Sequence, residues 1–154
     1  MGVRTLSEYL LTYLWVGMEC VAAVLLFDAF SQRKKRQIAH WISVAWFSFL
    51  DATFLNLMSP NIANFGKIVI ALAVYYSLHR LLYVGKRIFS LYIAVIFYAT
   101  ICCIDNIWFA FWVLILGIQN GSSFSQTFVS GFLMHCLMLA SCYLQLLIRK
   151  HNQN

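Results

Sequence analysis

The sequence predicts an all-α membrane protein, a single polytopic transmembrane helix bundle of about five spans over residues 1–154. Three observations predict it: 62% of residues are hydrophobic and only 10% charged, the mean hydropathy is +0.78, and long apolar runs alternate with short polar segments. Ordinary soluble domains have about 45–50% apolar and about 25% charged residues, and a domain this small leaves much of its surface in water. The composition therefore excludes a water-soluble monomer, a disordered chain and a disulfide-stapled secreted module.

The first span covers residues 10–30 and is interrupted by Glu19 and Asp28. It is long enough to cross a hydrocarbon core about 30 Å thick. It is too long for the apolar region of a usual signal peptide, and the basic run at 33–36 (RKKR) follows it as a stop-transfer signal would. We therefore expect a transmembrane helix here rather than a cleaved leader.

Four further spans are predicted, at about 38–58, 63–83, 88–118 and 124–148. Ser59-Pro60-Asn61 ends the second span, because proline lacks a backbone donor and disfavours helix in the residue before it. Gly85-Lys86-Arg87 forms a tight turn after the third. The apolar stretch 88–118 is long for one crossing, so it is either a tilted helix or a helix broken near Asp105-Asn106.

The basic residues predict the orientation of the bundle. With five crossings and an external N-terminus, nine of the eleven Lys and Arg residues fall on one side, as the positive-inside rule requires. A six-crossing chain would separate Arg149-Lys150 from the other clusters. Tyr9, Tyr13 and Trp15 lie near one boundary and Tyr83 near another, which suits interfacial aromatic belts. We expect a multi-pass protein of the cell membrane with its C-terminus inside and no role in nucleic-acid binding.

Four ionisable residues interrupt the spans and are the predicted ligand-binding residues: Glu19, Asp51, Asp105 and His135. Glu19 and Asp51 lie near mid-membrane, and the other two lie further outward. Because ionisable groups inside a membrane are costly, each needs a partner or a water-filled cavity. One interpretation is a polar cavity that opens outward and suits a cationic or peptide ligand. The alternative is a set of interhelical hydrogen bonds with a purely structural role.

A catalytic site is not expected. His135 and Cys136 are adjacent, so their side chains lie about 100° apart on a helix. His79 with Cys102 or Cys103 would require packing between spans, which the sequence does not establish. The five cysteines lie in apolar runs without C-x-x-C spacing, and we interpret them as small apolar side chains. The sequence thus predicts no enzyme activity, no cofactor and no metal.

The order of features is similar to one known family. The first span ends in RKKR, an outer segment at 61–67 (NIANFGK) leads into the third span, and that span closes with 78–89 (LHRLLYVGKRIF). The fourth stretch carries Asp105, and the last span exits in 147–150 (LIRK). This order resembles the N-terminal membrane sensor region of GHKL-type bacterial histidine kinases, the AgrC-like peptide receptors. The resemblance covers nearly the whole chain and rests on topology.

The resemblance implies a receptor of a two-component, quorum-sensing type. An extracellular peptide or small ligand would bind the outer half of the bundle, and the last helix would carry the signal. The sequence contains no phospho-accepting histidine helix and no ATP-binding domain, so we expect a homodimer or a separate kinase partner. The alternative function is a small transporter or channel subunit in which an intramembrane carboxylate takes up a proton or cation. A third is a structural subunit whose polar groups only hold helices together.

Overall fold

A computed structural model describes residues 6–34, 37–57, 64–116 and 124–152. All regular structure in these segments is helical, which confirms the predicted all-α bundle. The five helices are α1 (Leu6–Phe30), α2 (Gln37–Leu57), α3 (Asn64–Leu82), α4 (Arg87–Leu116) and α5 (Phe124–Asn152). The predicted outer loops at 59–61 and 119–123 lie outside the described residues.

Four of these helices are long and apolar enough to cross a membrane, by length and composition. Their apolar portions are Leu10–Phe30, Ile38–Leu57, Arg87–Phe111 and Phe128–His151. The apolar part of α3, Ile68–Leu82, is shorter. The whole of α3 nevertheless rises about 28 Å at 1.5 Å per residue, close to the thickness of a hydrocarbon core. The predicted third span at 63–83 thus exists as a helix, with less apolar length than its neighbours.

The structure decides between the two interpretations of the fourth stretch. α4 is one continuous helix of 30 residues, so the alternative of a break near Asp105-Asn106 is wrong. Two polar side chains near this position bond to their own helix. The Asn106 side-chain amide donates to the Cys102 carbonyl at 2.7 Å, and the Thr100 hydroxyl donates to the Ile96 carbonyl at 2.9 Å. Local bonding of this kind removes the need for a helix break.

The first helix is the centre of the bundle. It packs most extensively against α5 and α2, while α3 packs mainly against α4 and α2. Ala22 and Ala23 on α1 are fully buried, and small residues allow helix backbones to approach closely inside a membrane. Phe27 of α1 meets Phe97 of α4 edge to face, with ring centroids 6.1 Å apart. This arrangement places the polar residues of α1 within reach of every other helix.

The C-terminal ends of α1, α3 and α5 meet at one end of the bundle. The Val84 amide, just after α3, donates to the Gln32 carbonyl, just after α1, at 2.9 Å. The Arg149 guanidinium of α5 lies 5.6 Å above the Phe30 ring of α1. The basic clusters that the sequence separates therefore come together, as the orientation argument requires. We call this the basic end.

A hydrogen-bonded group ties the loops together at the basic end. The Arg33 Nε donates to the Asp28 carboxylate at 2.6 Å, so the basic run that follows α1 compensates the charge of Asp28. The Tyr83 hydroxyl donates to the same carboxylate at 2.8 Å and also lies 3.2 Å from the Val24 carbonyl. Tyr83 is fully buried, so its assignment to an interfacial belt is wrong. Hydrogen bonding to Asp28 raises the pKa of Arg33, so the guanidinium keeps its proton.

Candidate functional site

The side chain of Glu19 is the centre of a polar cluster inside the bundle. Tyr75 of α3 is 1% exposed and donates its hydroxyl proton to Glu19 Oε2 at 2.9 Å. His135 of α5 is also buried, and its Nε2 faces Glu19 Oε1 at 3.5 Å. This distance is within ion-pair range, although the two atoms are not aligned as a hydrogen bond. Glu19 thus connects α1 to both α3 and α5.

The contact made by the second ring nitrogen of His135, Nδ1, shows which nitrogen of the imidazole is protonated. Its Nδ1 lies 2.7 Å from the Gly131 carbonyl oxygen, which can only accept a hydrogen bond. Nδ1 therefore carries a proton. A neutral imidazole would then present its Nε2 lone pair to Glu19, and two acceptors would face each other. The contact becomes favourable when one additional proton is present, either on Nε2 or on the Glu19 carboxyl.

Asp51 brings a second carboxylate from α2 to the cluster. It is 2% exposed and interacts electrostatically with Glu19 and with Cys20. Within the described part of the chain, its Oδ1 atom has no hydrogen-bond partner. A buried carboxylate oxygen without a donor is costly, so this position is a candidate for binding a proton or a cation.

Asp105 lies at the edge of the cluster. Its side chain is exposed on α4, yet it interacts electrostatically with both Glu19 and His135. Glu19 itself keeps 24% of its side chain exposed. Part of the cluster is therefore accessible through Glu19 and Asp105. The structure brings the other three predicted site residues within electrostatic range of Glu19. Together with Glu19 and Tyr75, they come from all five helices.

The sequence reasoning missed two residues of this cluster, Tyr75 and Trp15. Trp15 was assigned to an interfacial belt, but its ring stacks on His135 with centroids 4.8 Å apart and planes 18° apart. It fits there because Gly131 has no side chain: a Cβ on Gly131 would lie 3.0 Å from the Trp15 ring. Trp15 precedes Glu19 by four residues, and Gly131 precedes His135 by four. The i, i+4 spacing that places residues on one helix face was the available signal.

His79 belongs to a separate polar group near the basic end. Its Nε2 lies 2.9 Å from the Ser31 hydroxyl, and its Nδ1 lies 3.0 Å from the Ser90 hydroxyl. Ser90 also donates to the Lys86 carbonyl at 3.3 Å, so it accepts from His79, and Ser31 donates. These contacts join α1, α3 and α4. The histidine therefore bonds to two serines, where a catalytic pair would need Cys102 or Cys103.

Among the residues that the structure describes, no group of three or more His, Cys, Asp and Glu side chains could hold a metal ion. Comparisons of the sequence and the structure with known proteins found no matching protein family, no matching curated protein and no matching solved structure.

Proposed function

We propose that this chain is a membrane sensor module that binds an extracellular peptide or small cationic ligand and signals through α5. The observation that carries the proposal is the convergence of polar side chains from the other four helices on Glu19 of α1. The cluster contains three carboxylates and one imidazole, so it attracts positive charge. The module resides in the cell membrane with its basic end in the cytoplasm, as a homodimer or with a separate kinase partner.

The route of the signal follows from the continuity of α5. His135 and Arg149 are fourteen residues apart on this helix, which corresponds to about 21 Å. His135 contacts Glu19 of α1 at one level, and Arg149 contacts Phe30 of α1 at the basic end. Without ligand, the contact between Glu19 and His135 holds α5 in one position against α1. A ligand that separates Glu19 from His135 favours a second position of α5, and so shifts the equilibrium between the two positions.

A second candidate function is proton- or cation-coupled transport. Two observations favour it: the contact between Glu19 and His135 requires an additional proton, and the Asp51 Oδ1 atom has no hydrogen-bond partner among the described residues. Carboxylates in such positions take up and release protons in transporters. The two functions differ in whether a substance crosses the bilayer.

The test combines a distance measurement with a flux measurement in proteoliposomes. Spin labels at Gln32 and Leu147, both exposed at the basic end, report the separation of α1 and α5. The probes are spermidine and a defined series of short cationic peptides, added outside. We expect at least one probe to shift the distance distribution. Glu19→Gln should abolish this shift. Thr100→Val is the matched control, because the Thr100 hydroxyl bonds within α4.

The flux arm uses a pH-sensitive dye trapped in the same vesicles. An unchanged distance with every probe, together with proton flux that requires Glu19 or Asp51, would overturn the sensor in favour of the transporter. Circular dichroism of each variant tests the structural alternative. If Glu19→Gln loses its helical content, the cluster is needed for assembly rather than for signalling.

A further inference from the structure

A cavity at the basic end is unconnected with the Glu19 cluster. Its volume is about 480 Å³, within the range typical of small-molecule sites. It lies where the C-terminal end of α1, the turn after α3 and the last turns of α5 come together. Its polar wall includes Ser31, Gln32, Arg149 and Lys150, and its apolar wall includes Val84 and Leu146.

The charges around this cavity favour an anion. Arg149 and Lys150 contribute two cations, and Lys150 is exposed. Asp28 also lines the cavity, but its carboxylate is already bonded to Arg33 and to the Tyr83 hydroxyl. The negative charge of Asp28 is thereby compensated, while Arg149 makes only a ring contact with Phe30 among the contacts described for it.

The apolar wall distinguishes a lipid from a free anion. Val84 is 56% exposed and Phe30 is 44% exposed, and both lie beside the cations. A small inorganic anion would use the cations and leave these side chains uncovered. A phospholipid has a phosphate for the cations and acyl chains for the apolar surface. Basic pockets between helix ends on the cytoplasmic side bind anionic lipid headgroups in this way.

We infer that the cavity at the basic end is a binding site for the headgroup of an anionic phospholipid. Arg149 and Lys150 hold the phosphate, and the Ser31 and Gln32 side chains face the polar part of the headgroup. The acyl chains leave along Leu146 and Val84. The lipid thus binds between the end of α1 and the end of α5, the two helices that the proposed signal moves. The site does not depend on the proposed function.

The experiment is native mass spectrometry of the purified protein with phosphatidylglycerol or phosphatidylcholine in the detergent micelle. We expect retention of phosphatidylglycerol over phosphatidylcholine. Removal of each cation should weaken the retention of phosphatidylglycerol about fivefold, as expected for a Lys or Arg near an anionic bilayer surface. The double variant Arg149→Gln/Lys150→Gln should therefore retain phosphatidylglycerol about 25-fold less strongly. The variant Arg149→Lys/Lys150→Arg should keep most of the retention.

The matched control is Lys86→Gln/Arg87→Gln. It removes the same charge at the same end of the bundle, from exposed residues that do not line the cavity. If both double variants lost phosphatidylglycerol retention equally, the effect would come from the overall positive charge of the basic end, and the proposed site would be wrong. Sodium phosphate that displaces phosphatidylglycerol at equal concentration would show an anion site without lipid recognition and would also overturn it. Circular dichroism establishes that all variants keep their helical content.

Discussion

At the scale of single residues, several polar side chains inside this bundle pair across helices. Glu19 accepts from Tyr75, Trp108 of α4 donates to Ser130 of α5 at 2.7 Å, and His79 bonds two serines. In lipid, a polar group without a partner costs more than the net gain of its hydrogen bond. The partners therefore determine which helices lie side by side.

His79→Leu tests this dependence at a residue that bonds to two other segments of the bundle. Leucine keeps most of the buried volume but removes both hydrogen bonds and leaves the Ser31 and Ser90 hydroxyls without the imidazole. We expect a loss of about 1–2 kcal/mol in the free energy of unfolding. The measurement is an SDS titration of the protein in detergent micelles, with Thr100→Val as a control that removes only a bond inside α4. Equal stability of the two variants would contradict the role assigned to His79.

At the scale of elements, the helices followed from the sequence and their contacts did not. Runs of apolar residues bounded by RKKR, by proline and by Gly85 are local signals, so the predicted helix ends agree with the structure within a few residues. Which face of α1 meets α5 depends on the shapes of side chains distant in sequence. Trp15 was misplaced for this reason, because its position depends on the space above Gly131 in another helix.

Gly131→Ala tests the contact between α1 and α5. The added methyl would lie 3.0 Å from a Trp15 ring already stacked on His135, so the ring has little room to move. Overpacking costs about 1–3 kcal/mol, and the better helix propensity of alanine offsets about 0.5–1 kcal/mol. We expect a net loss of roughly 1–2 kcal/mol in the free energy of unfolding.

Gly17→Ala is a matched control for Gly131→Ala. At Gly17 the nearest atom to an added Cβ is the Ser48 hydroxyl at 3.6 Å, an ordinary contact. This variant should be as stable as the natural protein or more stable by up to about 1 kcal/mol. If Gly131→Ala proved as stable as Gly17→Ala in the same titration, the close packing of Trp15 on Gly131 would be wrong.

At the scale of the whole molecule, charge alone predicted how the ends of the helices are grouped. The positive-inside rule placed three basic clusters on one side of the membrane, and the structure brings the ends of α1, α3 and α5 together. The site was only partly predictable. The four ionisable residues stand out against an apolar background, whereas Tyr75 is one aromatic residue among many, and only the packing of α3 against α1 identifies it.

The orientation of the bundle in the membrane is tested by labelling single cysteines in a cysteine-free background. Each of the five natural cysteines lies inside a helix and is replaced by alanine. New cysteines at Gln32, Lys86 and His151 report the basic end, and one at Ser7 reports the opposite end. In intact cells, a membrane-impermeant maleimide should label Ser7→Cys at once and the other three only after permeabilisation, because Lys and Arg are retained on the cytoplasmic side. Labelling of Gln32→Cys and Lys86→Cys from opposite sides would contradict the five-pass arrangement, and labelling of all three from outside would reverse the assigned orientation.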